Sequence, residues 1–264
     1  MSRRVPRGAN GRGAAASVLR LGSKNELLEV GYEKNAHVFQ AVASTQKIMT
    51  AWIVAKFASS QSTRVRFDQS DLFYDEQGTR AYNRSTSQNI NVGDNVTLKL
   101  YLYTLMVQSS NGAAHALGRG TSRTVESFVA QMNAEAARML GNSRRTYYQN
   151  PSGLTDDADV YRFASTNARQ GSTAREMALL VGFMMNDASY RSKLSSAGVE
   201  NVSSGYLYKP GATEAAGRTA VMRIPHLGRG CRGQSLAVAL FGEDTNTQSA
   251  NLRSAYEELK GLFR

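Results

Sequence analysis

Cysteine is almost absent from this chain. Cys231 stands alone, which rules out an intrachain disulfide and leaves no cysteine cluster to hold zinc. Nor does any apolar run approach the roughly 18 residues that a membrane-spanning helix requires. Acidic side chains are short too, with 21 Asp and Glu against 32 Lys and Arg, for a formal net charge of +11. Such an excess can serve nucleic acid, but the basic residues beyond the first dozen are scattered and no aromatic-basic recognition motif accompanies them, so nucleic acid is not read as a partner. An anionic cell envelope would attract the same charge peripherally. No internal repeat or heptad competes with a globular reading, and nothing signals a metal or organic cofactor.

What is present fits a globular protein. With 264 residues, 41% hydrophobic and 20% charged, the chain can bury a sizeable core. Arg3, Arg4, Arg7 and Arg12 crowd around Gly8, Gly11 and Gly13, so residues 1–14 read as a disordered basic tail. That opening lacks the apolar core of a secretory signal, which leaves a mature start, a truncated form or an unusual export route open. Residues 15–264 read as one domain.

Residues 15–21 and 27–32 have strand character and are joined by a turn over Gly22 to Asn25. Residues 59–95 are polar, with 67–73 and 89–94 as short strands or loops. Helices are expected over 97–107 behind a Thr97 cap, over 113–117, over 125–140, and over 174–186 behind a Thr173 cap. Strand patterns then return at 205–209, 218–224 and 235–241, and residues 247–263 read as a closing amphipathic helix. Two early and three late strands imply an α/β fold. One antiparallel sheet is built from 15–58 and 196–264, with a mainly helical subdomain, 59–195, inserted between.

The chemistry gathers at the start of the helix expected after Gln40-Ala41-Val42-Ala43. Ser44 precedes a run of helix formers without Gly or Pro and so reads as its N-cap. Ile48, Ala51, Trp52 and Ala55 share one helical face, and Met49, Ile53 and Val54 make most of the rest apolar, so the helix belongs in a core. Lys47 lies three residues after Ser44, within reach of its hydroxyl. Burial and the positive helix end both lower the pKa of such a lysine, and a neutral lysine beside a serine is a base beside a nucleophile. Taken alone, the pair is the ordinary pattern of a capping serine followed by a lysine that snorkels to solvent, and the rest of the chain has to decide between the two readings.

Two further patterns follow in order. Ser109 and Asn111 lie on the connection Gln108-Ser109-Ser110-Asn111-Gly112 between two core helices, and Lys209-Pro210-Gly211-Ala212-Thr213 ends the first late strand. S-x-x-K, S-x-N and K-x-G-x-T together resemble the active-site signature of penicillin-binding proteins and serine β-lactamases. The closer resemblance is to the low-molecular-mass D-alanyl-D-alanine carboxypeptidases. It rests on residues 32–36 before 43–51, Gly93-Asp94 with Val96-Thr97, then 105–111, 150–154 and 173–180, all in family order across about 15–262.

The resemblance implies a β-lactamase/transpeptidase-like fold and a serine acyl-enzyme that works outside the cytoplasm on peptidoglycan stem peptides. Ser44 would be the nucleophile, Lys47 its base, Ser109 a proton relay touching Lys47 and Lys209, and Asn111 a contact to substrate and to Lys47. Lys209, Gly211, Ala212 and Thr213 would bind substrate, and the backbone N–H groups of Ser44 and Ala212 would form the oxyanion hole. β-Lactam antibiotics would acylate the same serine. Glu176, in an apolar-patterned helix, is read as solvent-facing rather than as a deacylating base.

The chain departs from the family pattern where Pro210 replaces a threonine or serine, leaving Thr213 to contact the substrate carboxylate, and where Gly112 replaces an aspartate. Arg253 is read as a helix-surface residue rather than as the family's carboxylate-binding arginine. The additional β-rich domain and membrane-associating tail of many members are not seen, so the chain reads as a catalytic unit. Two other functions use the same residues: a module that binds cell-wall peptides or penicillin without turnover, and a β-lactamase or esterase.

Overall fold

The computed structural model describes residues 15–72, 82–83, 88–154, 170–213, 216–225 and 233–243. The basic tail, Cys231, the expected closing helix and Arg253 lie outside the described residues.

Strands β1 (Ala15–Leu21), β2 (Leu27–Lys34), β7 (Leu207–Thr213), β8 (Gly217–Pro225) and β9 (Ser235–Glu243) form one antiparallel sheet in the order β2-β1-β9-β8-β7. The first and last parts of the chain thus meet at the centre, as the sequence layout implies. Alternation along β1 sends Ala15, Leu19 and Leu21 into the main core and Ala16 and Val18 into a second cluster with Ala220, Met222, Leu236, Val238 and Leu240. Both faces of the sheet centre are therefore buried.

Between β2 and β7 the chain is mainly helical. It contains α1 (Lys47–Phe57), α2 (Gln69–Leu72), α3 (Leu98–Val107), α4 (Asn111–Ser122), α5 (Val125–Leu140), α6 (Ala174–Asn186) and α7 (Ala188–Ser196). Small pairs formed by β3 (Arg64–Arg66) with β6 (Asn95–Thr97) and by β4 (Tyr82–Asn83) with β5 (Gln88–Asn89) punctuate it. Helices α3 and α6 begin where their caps predict, with the side chains of Thr97 and Thr173 accepting from Leu100 and Glu176 N–H groups, and α5 spans its expected range behind Thr124, which accepts from Ser127 N–H. Helix α4 is longer than expected and starts at Asn111, capped by Ser110. Helix α7, which the sequence pattern did not announce, is capped by Asp187.

Helix α1 is buried along Lys47 to Ala55. It packs against α3, α4, α5, α6 and α7, so it stands at the centre of the helical layer. Helix α6 lies on β1, β8 and β9; its Gly182 leaves room for Leu21, whose Cδ1 would sit 2.1 Å from an added Cβ.

Candidate active site

Ser44 is not the helix cap that its sequence context suggests. Ala43–Gln46 forms a short 3₁₀ turn ahead of α1, and neither the turn nor the helix has a side-chain cap. The reason lies in distant neighbours. Ala43 is held at φ 49, a conformation non-glycine residues rarely adopt. Its carbonyl faces Gly153, where a Cβ would come within 2.0 Å of the Ala43 oxygen. The Val42 carbonyl accepts from Thr45 N–H, from the Thr45 hydroxyl, and at 3.0 Å from the Thr219 hydroxyl of β8. Strand β8 and the loop around Gly153 therefore set the turn that presents Ser44.

The turn still brings Ser44 and Lys47 together. Lys47 Nζ donates to Ser44 Oγ at 2.6 Å and to Asn111 Oδ1 at 2.8 Å, and Lys47 has no exposed surface while Ser44 is half-buried. A snorkelling lysine is thereby excluded. Ser109 has φ 60 on the reversal between α3 and α4, a strained position for a non-glycine residue. It accepts from Lys209 Nζ at 2.8 Å. Lys209 is 1% exposed, and burial pushes its ammonium down to a pKa of about 7.

Strand β7 continues past Lys209 along the serine turn. An added Cβ at Gly211 would lie 2.7 Å from Ser44 N and 3.0 Å from Thr45 N, so only glycine lets the strand approach the backbone of Ser44 and Thr45 so closely. Pro210 and Ala212 are exposed, and β7 is an edge strand, the position in a sheet that tolerates proline. The Thr213 hydroxyl accepts from Ala216 N–H at 3.1 Å, which holds the end of the strand.

The structure thus gathers Ser44, Lys47, Asn111, Ser109, Lys209 and Gly211 around one point where the sheet meets the helical layer. A family model for D-alanyl-D-alanine carboxypeptidases matches residues 26–203, more than half of the chain. The chain belongs to that family.

A curated member, the D-alanyl-D-alanine carboxypeptidase of Streptomyces sp. (strain K15), is 29% identical over 174 residues, covering 61% of this chain and 51% of the relative. The chain thus aligns with about half the length of that relative. Among solved structures, the D-alanyl-D-alanine carboxypeptidase DacD from Francisella tularensis superposes with a TM-score of 0.69 at 17% identity, over 99% of this chain and 73% of that one. A β-lactamase from Xanthomonas campestris gives 0.65 at 17% identity, over 96% and 93%. These structural likenesses establish the β-lactamase/transpeptidase-like fold, which carboxypeptidases and β-lactamases share.

Within this family member, several supports of the site went unread in the sequence. Gln46 Nε2 donates to the Asn150 carbonyl, and the Thr50 hydroxyl donates to the Pro151 carbonyl at 2.6 Å. Asn150 Oδ1 accepts from Ser152 and Gly153 N–H groups, so the 150–154 loop, noticed only as a resemblance, clasps the start of α1. Asp71, fully buried, accepts from Arg119 and pairs with His115 Nδ1 at 2.7 Å, tying α2 to α4 behind Asn111. Its backbone oxygen would be 2.8 Å from a Cβ at Gly112, which explains why glycine stands there. Glu176 corrects an expectation. Rather than facing solvent freely, it is partly buried and accepts from Arg145 N–H at 2.8 Å and from the Thr146 hydroxyl, holding the segment that leads to the 150–154 loop.

Proposed function

We propose that this chain is a serine-type D-Ala-D-Ala carboxypeptidase that removes the terminal D-alanine of peptidoglycan stem peptides outside the cytoplasmic membrane. The observation that carries this reading is the continuous contact of Lys47 Nζ with both Ser44 Oγ and Asn111 Oδ1. Neutral Lys47 takes the Ser44 proton as Oγ attacks the carbonyl between the two D-alanines. The Ser44 and Ala212 N–H groups receive the developing oxyanion, a role favoured by the close pass of β7 at Gly211. Ser109, polarised by Lys209, passes a proton to the leaving amine, and D-alanine departs. Water then attacks the acyl-enzyme and restores Ser44. Asn111 holds the substrate amide, and Lys209 in its charged form attracts the terminal carboxylate together with Thr213. β-Lactams acylate Ser44 by the same attack. No helix among the described residues is long and apolar enough to cross a membrane, and the positive charge of the chain would attract it peripherally to an anionic envelope.

Incubation with a fluorescent penicillin followed by a denaturing gel tests the nucleophile, and D-alanine release from a diacyl peptide ending in D-Ala-D-Ala tests the reaction. The expected result is covalent label and D-alanine release, both lost in Ser44→Ala. Label without release would replace this reading with the second one, a binding module that is acylated but does not turn over. Pro210 favours that alternative, because it removes a hydroxyl and an N–H from the strand beside the serine. Rapid turnover of a chromogenic β-lactam would instead make the protein a β-lactamase.

A further inference from the structure

Trp52, about one and a half turns along α1 from Lys47, forms part of a cavity of about 430 Å³ lined by residues of α1, α5 and α7 and by Asp187. Three cations reach it, one from each helix: Lys56, Arg138 and Lys193. Two are anchored on one buried carboxylate. Glu135 accepts from Lys56 Nζ at 2.8 Å, from Arg138 Nη2 at 2.9 Å and from the Trp52 indole N–H at 3.0 Å. Burial opposes ionisation of Glu135, but the bonds from Arg138, Lys56 and Trp52 overcome it and hold the pKa at about 2. Lys193 Nζ donates to the Ala55 carbonyl.

These bonds leave donors to spare. An ammonium carries three N–H groups and a guanidinium five, and the bonds described use one on Lys56, one on Lys193 and two on Arg138. Asp187, which also lines the cavity, caps α7 through one oxygen, accepting from Tyr190 N–H at 2.8 Å, and with Glu135 it offsets two of the three positive charges, so one remains in excess. Ser189 adds a hydroxyl at the rim. Trp52 and Tyr190 are locked edge to face at 5.3 Å and make a rigid wall.

We propose that this cavity binds a phosphate ester, with its oxygens on Lys56, Arg138 and Lys193 and its organic part against Ala55 and the edge of Trp52. Three cations converging from three helices suit an anion with three or more acceptor oxygens better than a carboxylate with two. The volume exceeds what a single phosphate fills, which favours an ester over the free ion. The site is separate from Ser44 and does not depend on the reaction assigned to it.

Trp52 is the single tryptophan of the chain, so its emission reports on this cavity directly. Titration of the full chain with glycerol phosphate, followed by fluorescence and by calorimetry, should give saturable binding. Lys193→Met and Arg138→Gln should each weaken it at least tenfold, with the far-UV circular dichroism spectrum unchanged as a measure of folding. Sedimentation with vesicles of phosphatidylglycerol separates the sources. Vesicle binding that glycerol phosphate displaces assigns a lipid headgroup, and saturable glycerol phosphate binding with no sedimentation on vesicles assigns a soluble ester. Absence of saturable heat and fluorescence change, equal binding of acetate, or undiminished binding by both variants would overturn the proposal.

Discussion

Lys209 illustrates how one buried cation couples the site to pH. Its folded pKa of about 7 lies well below the ordinary 10.5, because burial removes the water that would stabilise the ammonium. Between those values the unfolded chain holds a proton that the native protein has shed. Stability must therefore rise with pH across this window, by up to about 1.4 kcal/mol per pH unit from this group, and level off beyond both ends. Urea unfolding of the native sequence and of Lys209→Met should diverge accordingly. The native sequence should gain on the variant between pH 7 and pH 10, and a difference that stays flat would show that the lysine is solvated in the folded state. At this scale the sequence was informative, because Ser44, Lys47, Ser109, Asn111 and Lys209 are marked by short patterns whose order is specific. It was silent on Asp71 and Gln46, whose partners Arg119, His115 and the Asn150 carbonyl are far away in the chain and carry no local signature.

Elements with strong periodicity and a capping side chain were legible to the residue. Helices α5 and α6 and strand β1 match their expected ranges. Where non-local contacts overrode local signals, the reading failed. Pro210-Gly211 looks like the end of a strand, yet β7 runs on to Thr213 because an edge strand accommodates proline. The Ser44 turn looks like a helix cap, yet Gly153 and Thr219 hold it as a 3₁₀ turn. Helix α7 is polar and short, and its packing on α1, α3 and α6 together with the Asp187 cap stabilises it as a helix. The close pass of β7 along the serine turn yields a prediction. Gly211→Ala should push the strand off Ser44 and Thr45, slowing fluorescent-penicillin labelling at least tenfold and costing about 1–3 kcal/mol of stability as an overpacked contact. Labelling kinetics and the thermal midpoint check it together, and an unchanged labelling rate would show that the backbone approach is unimportant to the nucleophile.

At the scale of the molecule, the division into a sheet unit and a helical unit does not correspond to two separable cores. One cluster joins Leu19, Leu21, Ala237 and Phe241 of the sheet to Ile48, Trp52, Leu105, Leu117, Phe128 and Leu180 of the helices. Helix α1 lies in its midst, and the Lys209–Ser109 bond crosses from sheet to helices at the active site. Neither unit can expose its side of that cluster without losing apolar burial worth roughly 25 cal/mol per Å², so the two should unfold together. Trp52 fluorescence reads the helical side at α1, and far-UV circular dichroism reads the whole backbone. In urea the two transitions should coincide and fit one midpoint. Acylation of Ser44 by penicillin, which binds only the folded site, should raise that midpoint in both signals equally and leave Ser44→Ala unmoved. A fluorescence transition that precedes the dichroism, or a penicillin shift in only one of them, would mean that the helical insertion opens independently of the sheet and that the site is assembled from two domains rather than carried by one.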